Sequence, residues 1–476
     1  MIKRIVILEP KSERINVFSG YELPRLGGVL LATILRDHSY EARAVLLSRK
    51  EILARELDLD ADLVAISTIT PTASIAYTLG DHFRSRGTPV VMGGPHVTFL
   101  PEEALRHADY CILGEGETSF PRFVDALNGL ESLEKVPGLA WLKDGRMITN
   151  AAVTPVENLD TLPFPDFSLL DIGGRRLGGR FGRAMVPIQT SRGCPFDCVF
   201  CSVTCMFGRR YRYRSTENVL AELSRYNPRA HYLFFYDDNF TSDRGRTKEL
   251  LKRMIERRLG FNWMTQVRSD VARDPELLDL LRDAGCQVLF IGFESVHAAA
   301  LKEMHKSQTP LEIATAIREI RKRRIHIHGM FVLGFDADTP QTVRATVDFA
   351  MQKRIDTCQF MILTPLPGTS LFESMKRENR LVNYDWETFD GHHVNFVPLR
   401  FSLWELQRMQ IQAHARFFRL GRVLRHLFEG RFRAWRMGQY ARVFGRRWLR
   451  GERSYLRKIR DSVSTGSRLF GRTDFE

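Results

Sequence analysis

Apolar residues come along this chain in two alternating textures. Short unbroken runs bounded by Gly, Pro or charged residues alternate with longer stretches in which apolar positions recur every three or four residues. The first texture is that of strands buried on both faces of a sheet, the second that of amphipathic helices. Over residues 1 to about 125 the strand-like runs are "RIVILEP", "EARAVLL", "ADLVAIST", "TPVVMGG" and "ADYCILGEGE". Helix-like stretches such as "RLGGVLLATILRDHSY" and "SIAYTLGDHFRSRG" lie between them. This alternation predicts right-handed crossovers and a doubly wound parallel sheet, an α/β Rossmann-like domain over residues 1–140.

The pattern then lapses. "VENLDTLPFPDFSLLD" holds prolines without a sustained period, and "GGRRLGGRFGR" is rich in Gly and Arg, so residues 141–185 read as a linker. A second series with longer repeats follows over residues 186–395. Its strand candidates are "MVPIQTS", "YLFFYDDNF", "NWMTQVRSD", "CQVLFIGFES", "IHIHGMFVLGF" and "TCQFMILTPLP". Helices lie between them; "PLEIATAIREIRKR" places Leu311, Ala314, Ile317 and Ile320 on one face. Six strand–helix units predict a partial (β/α)6 barrel, with chemistry at the carboxyl ends of its strands. Residues 396–476 read as helical and basic.

In the first domain the residues at three successive strand ends are small or polar. They are Ser67, Thr68 and Thr70, then Gly93, Gly94 and His96, then "GEGE" with Glu115 and Gly116. Parallel sheets bind ligands beyond these ends, so a ligand crevice is expected. No G-x-G-x-x-G follows the first strand, which argues against a nicotinamide or flavin dinucleotide.

The densest chemistry is "SRGCPFDCVFCS", just past the first strand of the second series. Cys194, Cys198 and Cys201 stand at C-x3-C-x2-C spacing, and Cys205 follows. Thiolates in a short loop suit zinc or an iron–sulfur cluster. Zinc would want a closed set of four, which Cys205 could complete, but no second C-x2-C exists for a ribbon. A cluster with three protein ligands leaves one iron open.

This spacing after the first strand of a six-unit barrel resembles the radical S-adenosylmethionine (SAM) enzymes. The resemblance implies that Cys194, Cys198 and Cys201 hold a 4Fe–4S cluster whose open iron binds SAM, which is cleaved on reduction to a 5′-deoxyadenosyl radical. It leaves Cys205 a bystander and makes Phe200 the aromatic beside the last ligand. "GGPHVTFLPEEAL", "ADYCILGEGE", "FFYDDNFTSDR", "IGFES", "GMFVLGF" and "TPLPGTSLFE" resemble the cobalamin-binding class of that family, over residues 1 to about 395. By that likeness Asp237, Asp238, Asn239, Arg268, Glu294, Ser295, Gly329 and Gly334 lie about SAM, with Gly329 and Gly334 flanking the fifth strand. Ser67, Thr68, Thr70, Gly93, Gly94, His96, Glu115 and Gly116 are expected about cobalamin. The D-x-H-x-x-G motif whose His ligates cobalt is absent. The implied reaction is methyl transfer to an unactivated carbon of a hydrophobic substrate, with ring closure or rearrangement as the alternative. The alternative of another class is a zinc- or nucleic-acid-binding protein. An external electron donor is implied.

Charge changes the picture at one end only. The chain has 70 Lys and Arg against 56 Asp and Glu, a net charge of +14. Residues 416–460 hold fifteen of the basic residues and only Glu429 and Glu452 of the acidic ones. Arg is interleaved there with Phe417, Phe418, Leu420, Phe428, Phe432, Trp435 and Trp448. A basic amphipathic stretch with aromatics reads as a membrane-surface binder. A packed helix with a solvated face and a nucleic-acid site are the alternatives. Enzymes of this family that modify tRNA carry a second cluster, whereas the first domain here has only Cys111, which weighs against nucleic acid. With no apolar run of eighteen residues and an opening "MIKRIVILEP" too short for a signal peptide, the expected place is the cytoplasm, peripheral to the inner face of the membrane.

Overall fold

The structure is a computed structural model and describes residues 1–12, 23–48, 51, 59–172 and 183–465. It divides into two compact units. Among the described residues the first holds 1–12, 23–195 and 202–231, and the second holds 196–201 and 232–465.

The first unit is built on an eight-stranded sheet. Its strands are β1 (Arg4–Lys11), β2 (Glu41–Ser48), β3 (Leu63–Ser67), β4 (Val90–Gly93), β5 (Tyr110–Ile112), β6 (Leu139–Lys143), β7 (Arg146–Thr149) and β8 (Leu170–Asp171). They lie in the order β7-β6-β5-β4-β3-β1-β2-β8. β1 pairs in parallel with both β2 and β3, so the strand order reverses there, as in doubly wound folds. Ile5, Ile7, Leu63, Ala65 and Val91 form the core with Val29 and Leu35 of the helix Leu26–Asp37 and Phe123 and Val124 of the helix Gly116–Leu127.

Residues 141–185 are more ordered than a linker. β6 and β7 form an antiparallel hairpin that extends one edge of the sheet, and β8 pairs with β2 at the other. The hairpin turns at Asp144-Gly145, where φ is 53° and 74°, as a two-residue turn of this type requires. Most of "GGRRLGGRFGR" lies outside the described residues.

The remaining strands are β9 (Ala184–Ile188), the short pair β10 (Ser191–Arg192) and β11 (Arg212–Tyr213), β12 (His231–Phe235), β13 (Trp263–Val267), β14 (Cys286–Glu294), β15 (His326–Leu333) and β16 (Thr357–Ile362). The second sheet reads β9-β12-β13-β14-β15-β16, the half-barrel order expected. The pairings from β12 to β16 are all parallel. The intervening helices start at Asp243, Asp274, Thr309 and Thr339, whose side chains accept an N–H three residues ahead. On the helix Pro310–Lys322 the buried face is Ile313, Ala316, Ile317 and Ile320. Of the residues expected on that face, Leu311 is exposed and Ala314 only half-buried, because the buried stripe runs i, i+3, i+4, i+7 from Ile313 and Leu311 stands about 200° around the helix from it.

Among the described residues four helices come last: Leu403–Phe417, Leu420–Phe428, Phe432–Gly451 and Arg453–Thr465. The first lies on β16, with Phe417 edge-on to Phe360. The tail's aromatics divide: Phe417, Phe418, Trp448 and Tyr455 are buried, whereas Phe428 and Phe432 are 85% and 60% exposed. Among the described residues no helix is long and apolar enough to cross a membrane.

Candidate active site

The cysteine loop grows from a pinched neck. β10 and β11 pair antiparallel, Ser191 with Tyr213 and Arg192 with Arg212. Gly193 follows with φ +89°, and a Cβ there would stand 2.2 Å from the Arg210 carbonyl oxygen, so only glycine fits. The Cys194 N–H donates to Gly208 O at 3.2 Å, closing the neck. Tyr211 Oη lies 3.8 Å from Cys194 Sγ. Cys194, Cys198 and Cys201 are half-buried and form no disulfide, and Cys205 is exposed. Cys111, Cys286 and Cys358 are buried, with thiols pushed up by burial, as packing residues are. Among the described residues no three His, Cys, Asp or Glu side chains converge as one metal ion requires. Three thiolates at C-x3-C-x2-C spacing in one loop are, by their chemistry, the donor set that a four-iron cube with one open iron takes.

Within the second unit the middle of the loop is gripped by two aromatic contacts. The Arg268 guanidinium sits 3.6 Å from the Phe196 ring centroid, and Phe200 meets Phe335 edge-on at 6.0 Å. Arg268 ends β13 as expected, but in this structure its charge lies on the loop.

The other strand ends carry the residues that resemblance pointed to. Asp237 and Asn239 are buried after β12. Asp238 opens to solvent on one side yet is ringed by protein; that crowding first, and Asp237 second, push its acid up to about 7. Glu294 ends β14 with φ +60°, and Lys306 Nζ holds its carboxylate at 2.8 Å. Its carboxylate folds back over Gly292, where a Cβ would meet it at 2.3 Å. Ser295 Oγ accepts the His297 N–H. Gly329 lies inside β15 rather than at its edge, packed so closely on Phe293, Phe331 and Ile355 that a Cβ would sit 3.2–3.3 Å from them. Gly334, φ +104°, does follow the strand.

Sequence reasoning missed the inner face of this sheet. Parallel register puts Phe234, Met264 and Val288 in one row, Gln266, Phe290, His328 and Thr357 in the next, and Met330 and Gln359 above. Ring contacts confirm the shared face: Phe290 touches Phe234 at 6.0 Å and His328 at 4.8 Å. Met264, Gln266, Phe290, His328 and Met330 are partly accessible, while the alternate residues Trp263, Leu289, Ile327 and Phe331 are buried. The His328 Nδ1 meets Thr357 Oγ1 at 2.9 Å, and burial holds the ring neutral, near 4. The alternation in "NWMTQV" and "IHIHGM" was the available signal.

In the first unit Ser67, Thr68, Thr70, Gly93 and Gly94 lie at or just past the ends of β3 and β4. Gly94 has φ +98°, and a Cβ would stand 2.6 Å from Thr68 O. Thr68 is buried and its hydroxyl has no partner, a donor left for a ligand and a fit for cobalamin. His96 is wholly buried instead, Nε2 at 2.9 Å from Tyr77 Oη and Nδ1 at 3.3 Å from Thr70 Oγ1, and burial holds it down to about 4. Glu115 is likewise engaged elsewhere, as the N-cap before Gly116 and in an ion pair with Arg212 and Arg192. Burial works against its charge, but the two guanidiniums keep its acid below the usual carboxylate range.

Comparison with known proteins agrees with this arrangement. The B12 binding domain matches residues 15–124, and the radical SAM superfamily matches residues 188–350. The chain is 31% identical over 442 residues to the uncharacterized methyltransferase PH0819 of Pyrococcus horikoshii, covering 90% of this chain and 95% of that one. It is 30% identical to the bacteriochlorophyllide d C-12(1)-methyltransferase of Chlorobaculum tepidum, over 83% of each chain. The solved structure of the cobalamin-dependent S-adenosylmethionine radical enzyme OxsB, with aqua-cobalamin and SAM bound, shares the fold at a TM-score of 0.67 and 17% identity, over 93% of this chain and 72% of that one. The cofactors of these domains are a 4Fe–4S cluster, SAM and cobalamin. With both domains in order and relatives matched over most of its length, the chain belongs to the radical SAM superfamily, in the branch that carries a B12-binding domain and includes methyltransferases.

Proposed function

We propose that this enzyme methylates an unactivated carbon of a hydrophobic, lipid-like substrate laid against the inner face of β12–β16. The observation that carries the reading is the composition of that face. Phe234, Met264, Phe290 and Met330 offer an apolar bed in register, with Gln266, His328 and Gln359 as its polar points. A neutral imidazole and two amides can orient a polar edge of an otherwise apolar molecule without placing a charge beside it. The relative that acts on a bacteriochlorophyllide fits a substrate of this kind.

When bound, the cluster with SAM supplies a radical and cobalamin carries the methyl group. Cys194, Cys198 and Cys201 would hold the cluster, and Thr68 and the bare backbone at Gly94 would border the corrin. Asp238, raised toward 7, can keep or release a proton near neutral pH. The reductant is an external one-electron donor.

A membrane surface suits such a substrate. On the helix Phe432–Gly451 the exposed positions include Phe432, Arg433, Arg436, Val443, Arg446, Arg447 and Arg450, while Ala434, Gly438 and Trp448 face inward. With Phe428 beside the same turn, that outer face pairs bulky apolar groups with arginines, and suits an anionic leaflet on the cytoplasmic side. It favours lipid over nucleic acid.

Removing a ring from the inner face tests the substrate site. A buried Phe contributes about 1.5–3 kcal/mol, so Phe290→Ser should raise KM for a hydrophobic substrate about tenfold or more. SAM cleavage without substrate should run at the wild-type rate. An unchanged KM would place the substrate elsewhere.

A further inference from the structure

Glu115 was expected at the cobalamin crevice, yet the structure gives its carboxylate to the neck of the cysteine loop. Arg212, in β11, donates to it through both terminal nitrogens, with Nη1 at 2.9 Å from Oε2. Arg192, in β10, approaches the same Oε2 at 3.2 Å and reaches Glu117 Oε1 with its other nitrogen at 2.6 Å. The four groups are buried, with side-chain exposures of 3–9%. Arg212 also donates to Val156 O and Phe207 O, and Val156 N–H donates to Glu115 Oε2, so the carboxylate has no vacant side facing a ligand.

Arg192 and Arg212 are cross-strand partners at the neck. Two guanidiniums so close repel each other, and in a buried place that repulsion is weakly screened. A carboxylate shared between them reverses its sign. Arg192 stands two residues before Cys194, and Arg212 lies four residues after Gly208, whose carbonyl accepts the Cys194 N–H. Both arms of the loop are thereby referred to one anchor at the end of β5.

We propose that Glu115, through Arg192 and Arg212, is a positioning residue for the cluster: it holds the two arms of the cysteine loop closed at the neck and so fixes the place of Cys194. This rests on the assignment of the cluster to Cys194, Cys198 and Cys201. Glu117 is the minor member, since it reaches Arg192 alone.

The test uses the full-length chain, reconstituted anaerobically with iron and sulfide and loaded with cobalamin. In Glu115→Gln the fork to Arg212 loses its charge. Iron should then be stripped by EDTA at least about tenfold faster than from wild type, and the reduced cluster should give shifted and broadened electron paramagnetic resonance signals. Trypsin should cut sooner at the exposed Arg209 and Arg210 and nowhere else. Corrinoid absorbance per chain should be unchanged. Arg212→Lys, which keeps the charge but loses the two-pronged geometry, should change in the same direction and carries the test if the first variant does not fold. Retention of iron at the wild-type rate in both variants overturns the proposal. So does loss of corrinoid with the cluster intact, which would return Glu115 to the cobalamin site. A wild type that takes up no iron would overturn the underlying cluster assignment instead.

Discussion

Gly193 shows how one residue constrains the chemistry next to it. Its left-handed backbone lets Arg210 O come within the space of a missing Cβ, and the chain enters Cys194 already crossed against its return arm. On the proposed assignment the loop beyond would supply three thiolates and leave one iron open for SAM, which a fourth thiolate would close. Cys194→Ala, Cys198→Ala and Cys201→Ala should each lose the cluster, while Cys205→Ala should keep iron and sulfide at wild-type amounts; loss of iron in the last alone would contradict the assignment. The cysteine spacing was legible in the sequence because ligand and ligand lie a few residues apart. Glu115 and His96 were legible only as strand-end positions. Their partners are chosen by the fold: Arg212 is 97 residues away from Glu115, and Tyr77 reaches His96 from a neighbouring helix.

At the scale of elements, β1 to β5 and the six strands of the second sheet were readable as short apolar or alternating runs bounded by turn residues and separated by helical periods. The hairpin β6–β7 was hidden among prolines and glycines, although Asp144-Gly145 is a strong hairpin signal. The packing of the tail was beyond sequence reading, since it depends on a buried charge. His393 lies between Asp390 at 2.9 Å and Glu452 at 3.3 Å, the latter at the junction of the last two helices. Burial opposes its proton, but the two carboxylates prevail and raise it to about 9. His392, Trp448 and Tyr455 complete its surroundings and add no compensating positive charge. Because the folded value exceeds the unfolded value near 6.5, this stabilisation is complete below pH 6.5 and fades as pH rises through 9. It amounts to roughly 3 kcal/mol. Melting temperature should therefore fall between pH 7 and 10, with the tail helices released first, and His393→Gln should be less stable at pH 7 with a flatter profile. Equal slopes for the two proteins would contradict the role.

For the whole molecule, composition and fold point the same way. Nearly all of the net charge sits on the closing helices, and the buried aromatics of that region leave Phe428 and Phe432 outside. Each arginine near an anionic leaflet contributes about 1 kcal/mol, which salt removes. The protein should sediment with phosphatidylglycerol vesicles at low salt and be released as salt rises. Phe428→Ser with Phe432→Ser should weaken that binding about tenfold or more. Protein that stays in the supernatant at low salt would leave the tail a purely structural element.

The central claim is methyl transfer to a hydrophobic carbon, and the fate of the SAM methyl group decides it. Reconstituted enzyme with cobalamin, reductant and SAM labelled with a trideuterated methyl group should be incubated with a membrane lipid extract and its products weighed by mass spectrometry. A lipid-soluble product carrying the intact trideuteromethyl group, absent when cobalamin is omitted, is expected. Turnover of SAM with the label confined to methionine, and a substrate closed or rearranged without gaining a methyl group, would contradict it.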